Sequence, residues 1–246
     1  GCDKNLADSE EMLGLLTGSG HEIVDSEEDA DAIVINTCCF IHDAKEESVN
    51  TILEMAEYKK TGKCKALIVT GCMAQRYKEE ITQEIPEVDA VLGTTSYGDI
   101  VKALNEAQAG HVFQEFRDIN ELPEDSGRRV LTTGGHFGYL KIAEGCDKHC
   151  TYCIIPSLRG KFRSVPEERL LAQAEYMASQ GVKELILVAQ ETTVYGTDLY
   201  GKKTLHILLK KLCQIKGIRW IRVLYCYPEE IYDELIQVMK EEKKIC

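Results

Sequence analysis

Residues 145–153 have the sequence Gly-Cys-Asp-Lys-His-Cys-Thr-Tyr-Cys, which places three cysteines at the spacing Cys-x3-Cys-x2-Cys without a fourth close by in sequence. A structural zinc site is closed by four protein ligands, whereas an iron-sulfur cluster held by three thiolates keeps one iron open to a small molecule. The spacing therefore favours an iron-sulfur site with Cys146, Cys150 and Cys153 as ligands. Two other interpretations stay open: a zinc knuckle that includes His149, and a thioredoxin-like pair of Cys150 and Cys153.

The segments on both sides of this motif alternate between predicted strands and helical periodicity. Upstream, residues 32–36 and 66–70 are continuous apolar runs, which are typical of parallel strands buried on both faces. Downstream, strands are predicted at residues 139–142, 184–188 and 221–224, with helical patterns between them. This alternation predicts an α/β protein whose N-terminal part is an open, mostly parallel sheet of flavodoxin- or Rossmann-like type.

The N-terminal part contains two shorter predicted elements, and a linker follows it. Residues 8–11 predict the start of the first helix, which ends at Gly18. Residues 22–24 predict a short strand. Residues 110–134 have weak periodicity and several turn-forming residues, so we expect a linker there, between domains at residues 1–109 and 135–246.

Two further cysteines follow predicted strands directly. Cys38 comes after the strand at 32–36, and Cys72 comes after the strand at 66–70. Ligands of parallel α/β sheets bind at the carboxyl ends of the strands. Cys2 would occupy the same position if a strand preceded it, so three thiols are expected to converge on one edge. Because buried structural cysteines at strand ends are common, a purely structural role stays open for them.

Charge and cysteine usage narrow the class of protein. Residues 1–109 contain 22 acidic and 9 basic side chains, whereas residues 110–246 contain 19 and 20. The acidic N-terminal part disfavours a phosphate backbone as its partner, although an acidic surface also serves solubility alone. The eleven cysteines come without a secretory leader or a membrane-spanning apolar run, which predicts a reducing cytoplasm and thiols that act as ligands or core residues.

The motif at residues 145–153, with Tyr152 directly before its last cysteine, resembles the radical S-adenosylmethionine (SAM) superfamily. Three other blocks resemble the N-terminal domain of the methylthiotransferase family, which joins such a domain to a radical SAM barrel. The blocks are Gly-Cys-Asp-Lys-Asn at 1–5, Asn-Thr-Cys-Cys-Phe at 36–40 and Gly-Cys-Met-Ala-Gln-Arg at 71–76. The resemblance covers nearly the whole chain.

For the second domain, the resemblance implies the first half of a (β/α)6 partial barrel. Cys146, Cys150 and Cys153 are then expected to hold a 4Fe-4S cluster whose open iron binds SAM. In this family the cluster passes an electron to SAM, and the resulting deoxyadenosyl radical removes hydrogen from an unreactive carbon. The resemblance also implies that the first strand, the second half of the barrel and a C-terminal TRAM-type domain are absent from this chain.

For the first domain, the resemblance implies that Cys2, Cys38 and Cys72 hold an auxiliary 4Fe-4S cluster that carries sulfur, while a second SAM donates a methyl group. Cys39 stands where the family usually has a small residue, and it could substitute for Cys38 as a ligand. The other cysteines, which are Cys64, Cys213, Cys226 and Cys246, are expected to be structural.

Within the family, the first block and residues 152–156 and 158–164 look most like the branch that modifies the β-carbon of an aspartate in small-subunit ribosomal protein S12. Val165 departs from this branch, which usually has arginine there. The alternative is the branch that acts on adenosines of transfer RNA. A second alternative is a non-catalytic iron-sulfur or zinc binding module.

Several other residues and partners follow from the same resemblance. Tyr152, Arg159, Lys161 and Gln190 are plausible contacts to SAM or substrate, although each could equally be a solvated side chain. The expected partners are the ribosomal protein and a reductant of flavodoxin or ferredoxin type. No membrane partner is expected, and nucleic acid enters only in the transfer RNA alternative. The expected location is the cytoplasm.

Overall fold

The structure is a computed structural model of the 246-residue chain, and it describes residues 1–124, 127 and 129–246. Asp125 and Ser126 of the expected linker, with position 128, lie outside the described residues. The chain divides into two compact units. The first consists of Gly1–Val130 and His149–Arg159, and the second of Leu131–Lys148 and Gly160–Cys246.

The described helices and strands alternate along the chain. The α-helices are α1 (Asp3–Gly18), α2 (His42–Thr61), α3 (Cys72–Glu84), α4 (Ile100–Gln108), α5 (Ile155–Arg159), α6 (Glu167–Ser179), α7 (Thr197–Tyr200), α8 (Leu205–Cys213) and α9 (Asp233–Glu241). The strands are β1 (Ala32–Thr37), β2 (Ala66–Gly71), β3 (Ala90–Leu92), β4 (Phe113–Glu115), β5 (Phe137–Lys141), β6 (Ala143–Glu144), β7 (Arg163–Ser164), β8 (Glu184–Val188) and β9 (Trp220–Val223). Short 3-10 helices are formed by Glu27–Asp29, Tyr97–Asp99 and Pro228–Glu230.

The first unit contains a four-stranded parallel sheet in the order β1-β2-β3-β4. All six residues of β2 are buried because apolar side chains cover both faces of the sheet. On one face Leu67 and Val69 pack with Ile52 of α2. On the other face Ile68 packs with Ile100 of α4. The apolar run at residues 66–70 is continuous because this strand is buried on both faces, as predicted. The predicted open parallel α/β sheet is confirmed.

The second unit contains a three-stranded parallel sheet in the order β5-β8-β9 and an antiparallel pair formed by β6 and β7. Leu140 and Leu187 are fully buried in this sheet, and Leu170 and Met177 of α6 are also fully buried. The three predicted strands of this part are present within two residues of their expected bounds. The arrangement agrees with the strand-helix units expected of a partial barrel.

Two local predictions were wrong. The first helix begins at Asp3, five residues before the predicted start. Asp8 does not cap the helix, because its side chain pairs with Arg159, and Asn5 in the first turn is held by the Thr37 carbonyl. Residues 22–24 form no strand. Ile23 and Val24 are 47% and 44% exposed, so this apolar pair is not buried by a sheet.

The segment expected to be a linker contains a strand. β4 lies parallel to β3 and extends the first sheet, with Ala90 paired to Phe113. After it, Arg129 is buried and donates hydrogen bonds to Glu10 Oε2 at 2.8 and 2.6 Å. In the part of the chain that the structure describes, no helix is both long and apolar enough to cross a membrane.

Candidate metal centre

Cys2, Cys38 and Cys72, here called the strand-edge thiols, all lie in the first unit. Cys38 directly follows β1, and Cys72 is the first residue of α3 directly after β2. Cys2 precedes α1 and has an extended backbone. Cys38 and Cys72 are buried, whereas Cys2 is exposed. The two buried thiols are therefore where the apolar runs predicted them, at the carboxyl ends of adjacent parallel strands.

The end of β2 requires glycine at position 71. Gly71 has a φ of 93°, and a Cβ at this position would overlap the Asn36 side chain and the Thr37 backbone of β1. Across the same junction the Thr37 hydroxyl donates to the Thr70 carbonyl at 2.5 Å and accepts a hydrogen bond from the Ala74 amide at 3.3 Å. The two strand ends can therefore approach closely, which brings the chain at Cys38 near Cys72.

The strand-edge thiols lie within electrostatic range of one another. Burial raises the pKa of the Cys72 thiol, and the negative charges of Cys38 and Cys2 raise this pKa further, while Arg159 lowers it. A buried thiolate with other thiolates nearby is stabilised by a compensating cation. Soft thiolate ligands suit iron-sulfur clusters. The donor set and its burial therefore fit a cluster held at three corners.

Asn5 connects the start of α1 to this edge. The Cys2 thiol donates to Asn5 Oδ1 at 3.6 Å, and Asn5 Nδ2 donates to the Thr37 carbonyl at 2.9 Å. In return Asn36 Nδ2 donates to the Asn5 carbonyl at 2.8 Å. These hydrogen bonds fix the first turn of α1 against the end of β1. The sequence predictions did not assign a role to Asn5, although it stands in the first block of the family resemblance.

Arg159 lies at the strand-edge thiols. Its side chain is 2% exposed, and it donates from Nη1 to Asp8 Oδ2 at 2.9 Å and from Nη2 to Asn5 Oδ1 at 2.8 Å. Its positive charge also lowers the pKa of the Cys72 thiol, against the larger effect of burial. The role of Asp8 was not predicted either. The sequence shows only a charged side chain within a helical segment. Its partner Arg159 is too distant in sequence to be identified from that charge.

Cys39 has a different environment from Cys38. It is 3% exposed, belongs to the apolar core that includes Ile52 and Met73, and donates its thiol hydrogen to the Cys72 carbonyl at 3.3 Å. Burial, followed by the charge of Cys72, raises the pKa of the Cys39 thiol to about 11. These contacts are those of a core residue, which favours Cys38 as the ligand.

The motif cysteines lie on irregular backbone. Gly145 has a φ of 72°, and a Cβ there would overlap the carbonyls of Gly160 and Lys161. Next to it the Cys146 amide donates to the Gly160 carbonyl at 3.1 Å. Cys146 belongs to the second unit. Cys150 and Cys153 belong to the first, where the Cys153 amide donates to the Cys150 carbonyl at 3.0 Å and closes a turn.

The motif thiols are all partly exposed, which leaves them accessible to a cofactor. The described residues contain no disulfide, and in them no three His, Cys, Asp or Glu side chains are arranged to hold a single metal ion. A cluster differs from a single ion because each thiolate binds its own iron, and each of the three motif thiols is partly exposed.

The remaining candidate contacts have different environments. Tyr152 is 84% exposed, and Lys161 is also exposed. Gln190 lies just beyond the carboxyl end of β8, and its Oε1 is buried without a hydrogen-bond partner among the described residues. A buried polar atom without a partner calls for an explanation, and a bound ligand is one of the common ones. Of the three, Gln190 best fits a cofactor contact.

Two family profiles match the chain. The Uncharacterized protein family UPF0004 matches residues 1–93, and the Radical SAM superfamily matches residues 140–245. Among solved structures, the chain resembles the radical SAM methyltransferase TsrM from Kitasatospora setae, with a TM-score of 0.57 at 10% identity, over 99% of this chain and 64% of that one. It also resembles the cobalamin-dependent radical SAM enzyme OxsB, with a TM-score of 0.53 at 16% identity, over 95% of this chain and 38% of that one. These likenesses concern the fold, and with the profiles they place the chain among radical SAM proteins.

Curated relatives define the family more narrowly. The chain is 65% identical to the ribosomal protein uS12 methylthiotransferase RimO of Lachnoclostridium phytofermentans, over 100% of this chain and 56% of that protein. It is 51% identical to the protein of the same name from Clostridioides difficile, over 100% of this chain and 55% of that protein. The chain belongs to the methylthiotransferase family and is of the RimO type. It spans just over half the length of these relatives.

Proposed function

We propose that this chain is part of an enzyme that inserts sulfur and a methyl group at the β-carbon of an aspartate in small-subunit ribosomal protein S12. The observation that carries the proposal is the 65% identity, over the whole chain, with a protein named as the uS12 methylthiotransferase. The two sets of three cysteines support it, because this chemistry needs both a radical source and a sulfur source.

The family implies SAM and a 4Fe-4S cluster, and we propose two clusters. Cys146, Cys150 and Cys153 would hold the cluster that binds SAM, and the strand-edge thiols would hold an auxiliary cluster. When bound, these groups supply the radical chemistry and the sulfur. The protein binds the groups, orients them and limits the access of water. The buried Cys38 and Cys72 and the exposed Cys2 suit a cluster with one accessible face.

Among the other candidate residues, we propose that Gln190 contacts SAM or substrate through its buried Oε1. Tyr152 stays a candidate contact on the exposed side of the motif. Arg159 donates to Asp8 and Asn5 and lies within electrostatic range of Cys72, which supports a role at the strand-edge thiols in place of the expected SAM contact.

Two other functions have less support. A methylthiotransferase acting on transfer RNA is disfavoured by the excess of acidic side chains in residues 1–109, since nucleic acid binding depends on basic contacts to phosphates. A non-catalytic metal-binding module would need neither two clusters nor an open iron. We further propose a cytoplasmic location and a reductant of flavodoxin or ferredoxin type, because the cluster chemistry requires an electron.

The metal content of the anaerobically reconstituted holoprotein tests the cofactor assignment. Wild type is compared with a variant in which Cys146, Cys150 and Cys153 are changed to alanine. The matched control changes the buried cysteines Cys64 and Cys213 to alanine. Iron should fall from about eight to about four per chain in the motif variant and stay at about eight in the control. About four irons falling to none, or zinc in place of iron, would contradict the two-cluster assignment.

The substrate is tested by mass spectrometry. Ribosomal protein S12 and transfer RNA are isolated from cells lacking the gene, with and without complementation by the wild-type protein. A methylthio modification that returns on the S12 aspartate supports the proposal. A modification that returns only on transfer RNA adenosine would favour the alternative, and no modification of either would favour the binding module.

A further inference from the structure

A buried polar group in the first unit connects the strand-edge thiols to the segment that follows the motif. Here we call the side chains of Arg159, Asp8 and Asn5 the arginine clamp. Arg159 is the last residue of α5, in the segment His149–Arg159, which belongs to the first unit. The side chains of Arg159 and Asp8 are 2% and 5% exposed, so both charges are removed from water.

The arginine clamp contacts Cys2 directly and acts on Cys72 through its charge. Asn5 Oδ1 accepts hydrogen bonds from Arg159 Nη2 at 2.8 Å and from the Cys2 thiol at 3.6 Å. The guanidinium also lies within electrostatic range of the Cys72 side chain. A buried guanidinium needs compensating acceptors, and here they include one carboxylate and one amide oxygen.

We propose that Arg159 is a positioning residue of the strand-edge site, whose buried positive charge sets the reduction potential of the cluster held there. This inference rests on the two-cluster assignment proposed above. The reduction potential of an iron-sulfur cluster depends on its net charge, on hydrogen bonds to its sulfurs and on its exposure to solvent. Arg159 supplies a buried positive charge, while Asp8 partly neutralises that charge from the side of α1.

The charges of Arg159 and Asp8 predict opposite effects on the reduction potential of the strand-edge cluster. A cluster gains negative charge when it is reduced, so a nearby positive charge stabilises the reduced form. Arg159→Met removes this charge and should lower the midpoint potential. Asp8→Asn removes a negative charge from beside the guanidinium and should raise the potential. Arg159→Lys keeps the charge but not the planar fork that reaches two acceptors, so its potential should fall less than that of Arg159→Met.

The experiment is a redox titration of the reconstituted holoprotein, followed by electron paramagnetic resonance of the reduced cluster. The motif cysteines are changed to alanine in every sample, so that only the strand-edge site contributes. Arg117→Met is the matched control, because Arg117 also belongs to the first unit and pairs with an aspartate, Asp99, at 2.8 Å, but is more exposed. Iron content and the thermal transition are recorded for each variant.

A lowered potential in Arg159→Met, a raised one in Asp8→Asn and an unchanged one in Arg117→Met would support the proposal. Because Arg159→Met removes the cation that pairs with Asp8, the double variant Asp8→Asn/Arg159→Met is included, and its potential should lie between those of wild type and Arg159→Met. If Arg159→Met does not fold, Asp8→Asn decides.

Unchanged potentials in all folded variants would overturn the inference and leave the arginine clamp a purely structural ion pair. That result would leave the two-cluster assignment intact, because the site would still contain iron. Absence of iron from the strand-edge site of the parent sample would overturn both the inference and the auxiliary cluster. The failure of one proposal is thus distinguishable from the failure of the other.

Discussion

The two sets of thiols differ in what positions them. The strand-edge thiols are far apart in sequence and depend on the first sheet, whose strands β1 and β2 end directly before Cys38 and Cys72. The motif thiols lie within residues 145–153 on irregular backbone and depend on local chain geometry. A site of the first kind is lost when the domain is disturbed, whereas a site of the second kind can fail while the domain stays folded. Matched glycine substitutions can test this difference.

The largest effect is expected for Gly71→Ala. Its left-handed φ and the overlap of a Cβ with Asn36 and Thr37 act within the buried sheet, so neither strand can move away without loss of packing. We expect a loss of about 2–6 kcal/mol in the free energy of unfolding, measured by chemical denaturation. Iron at the strand-edge site should be lost in the same variant.

Gly110→Ala is the control for this prediction. Gly110 has a φ of 81°, but a Cβ at this position would meet no atom within 4 Å, so its substitution adds backbone strain without an overlap. It should cost about 1–2 kcal/mol and leave both iron sites filled. Equal losses in the two variants would mean that the φ angle alone, and not the close approach of β1 and β2, makes glycine necessary at position 71.

Gly145→Ala should have a smaller effect on stability and a selective effect on iron. The added Cβ would overlap the carbonyls of Gly160 and Lys161, and it would disturb the hydrogen bond from the Cys146 amide. Because this backbone is a loop that can partly relax, the expected cost is about 1–3 kcal/mol.

Iron should therefore be lost from the motif site of Gly145→Ala and retained at the strand-edge site. Gly201→Ala serves as the control, since Gly201 has a φ of 69° and open space around it. Spectra of the two clusters before and after the change give the measurement. Simultaneous loss of both clusters would show that the two sets are not positioned independently.

Cys38 and Cys39 allow a sharper test at the strand edge. Cys38→Ala should remove the strand-edge iron, whereas Cys39→Ala should retain it, because Cys39 packs in the core and its thiol donates to the Cys72 carbonyl. Cys39→Ala should cost about 1 kcal/mol of stability through lost packing. The measurement is iron content together with thermal unfolding. The reverse pattern of iron loss would make Cys39 the ligand.

The sequence was sufficient to place Cys38 and Cys72 directly after β1 and β2, and to place the three motif cysteines on one short stretch. Buried parallel strands leave continuous apolar runs such as residues 66–70, and the residue that follows such a run lies at the carboxyl edge of the sheet. The motif at residues 145–153 needs only local spacing. Both signals are contained in short stretches of sequence, so neither depends on knowing which segments meet in three dimensions.

The arginine clamp and the start of α1 could not be predicted in the same way. α1 buries Asn5, Asp8 and Glu10, which on local periodicity would face solvent. They are buried because Arg159 and Arg129, more than a hundred residues away, provide their partners. A pattern within one helix carries no information about such distant partners, so local signals alone predict a helix start at Asp8.

Gln190 provides the test with the smallest expected effect on stability. Its Oε1 is buried without a partner among the described residues, and an unsatisfied buried acceptor costs free energy that an apolar side chain of similar size would not. Gln190→Leu should therefore leave thermal stability unchanged or slightly raised.

If the Gln190 acceptor serves SAM, the same variant should lose roughly tenfold in SAM affinity, in line with the roughly 1–3 kcal/mol range for an unmet hydrogen bond. Equilibrium dialysis of the reconstituted holoprotein measures this affinity, with the exposed Gln180→Leu as control. Unchanged SAM affinity combined with lower stability would mean that Gln190 supports the loop after β8 and contacts no cofactor.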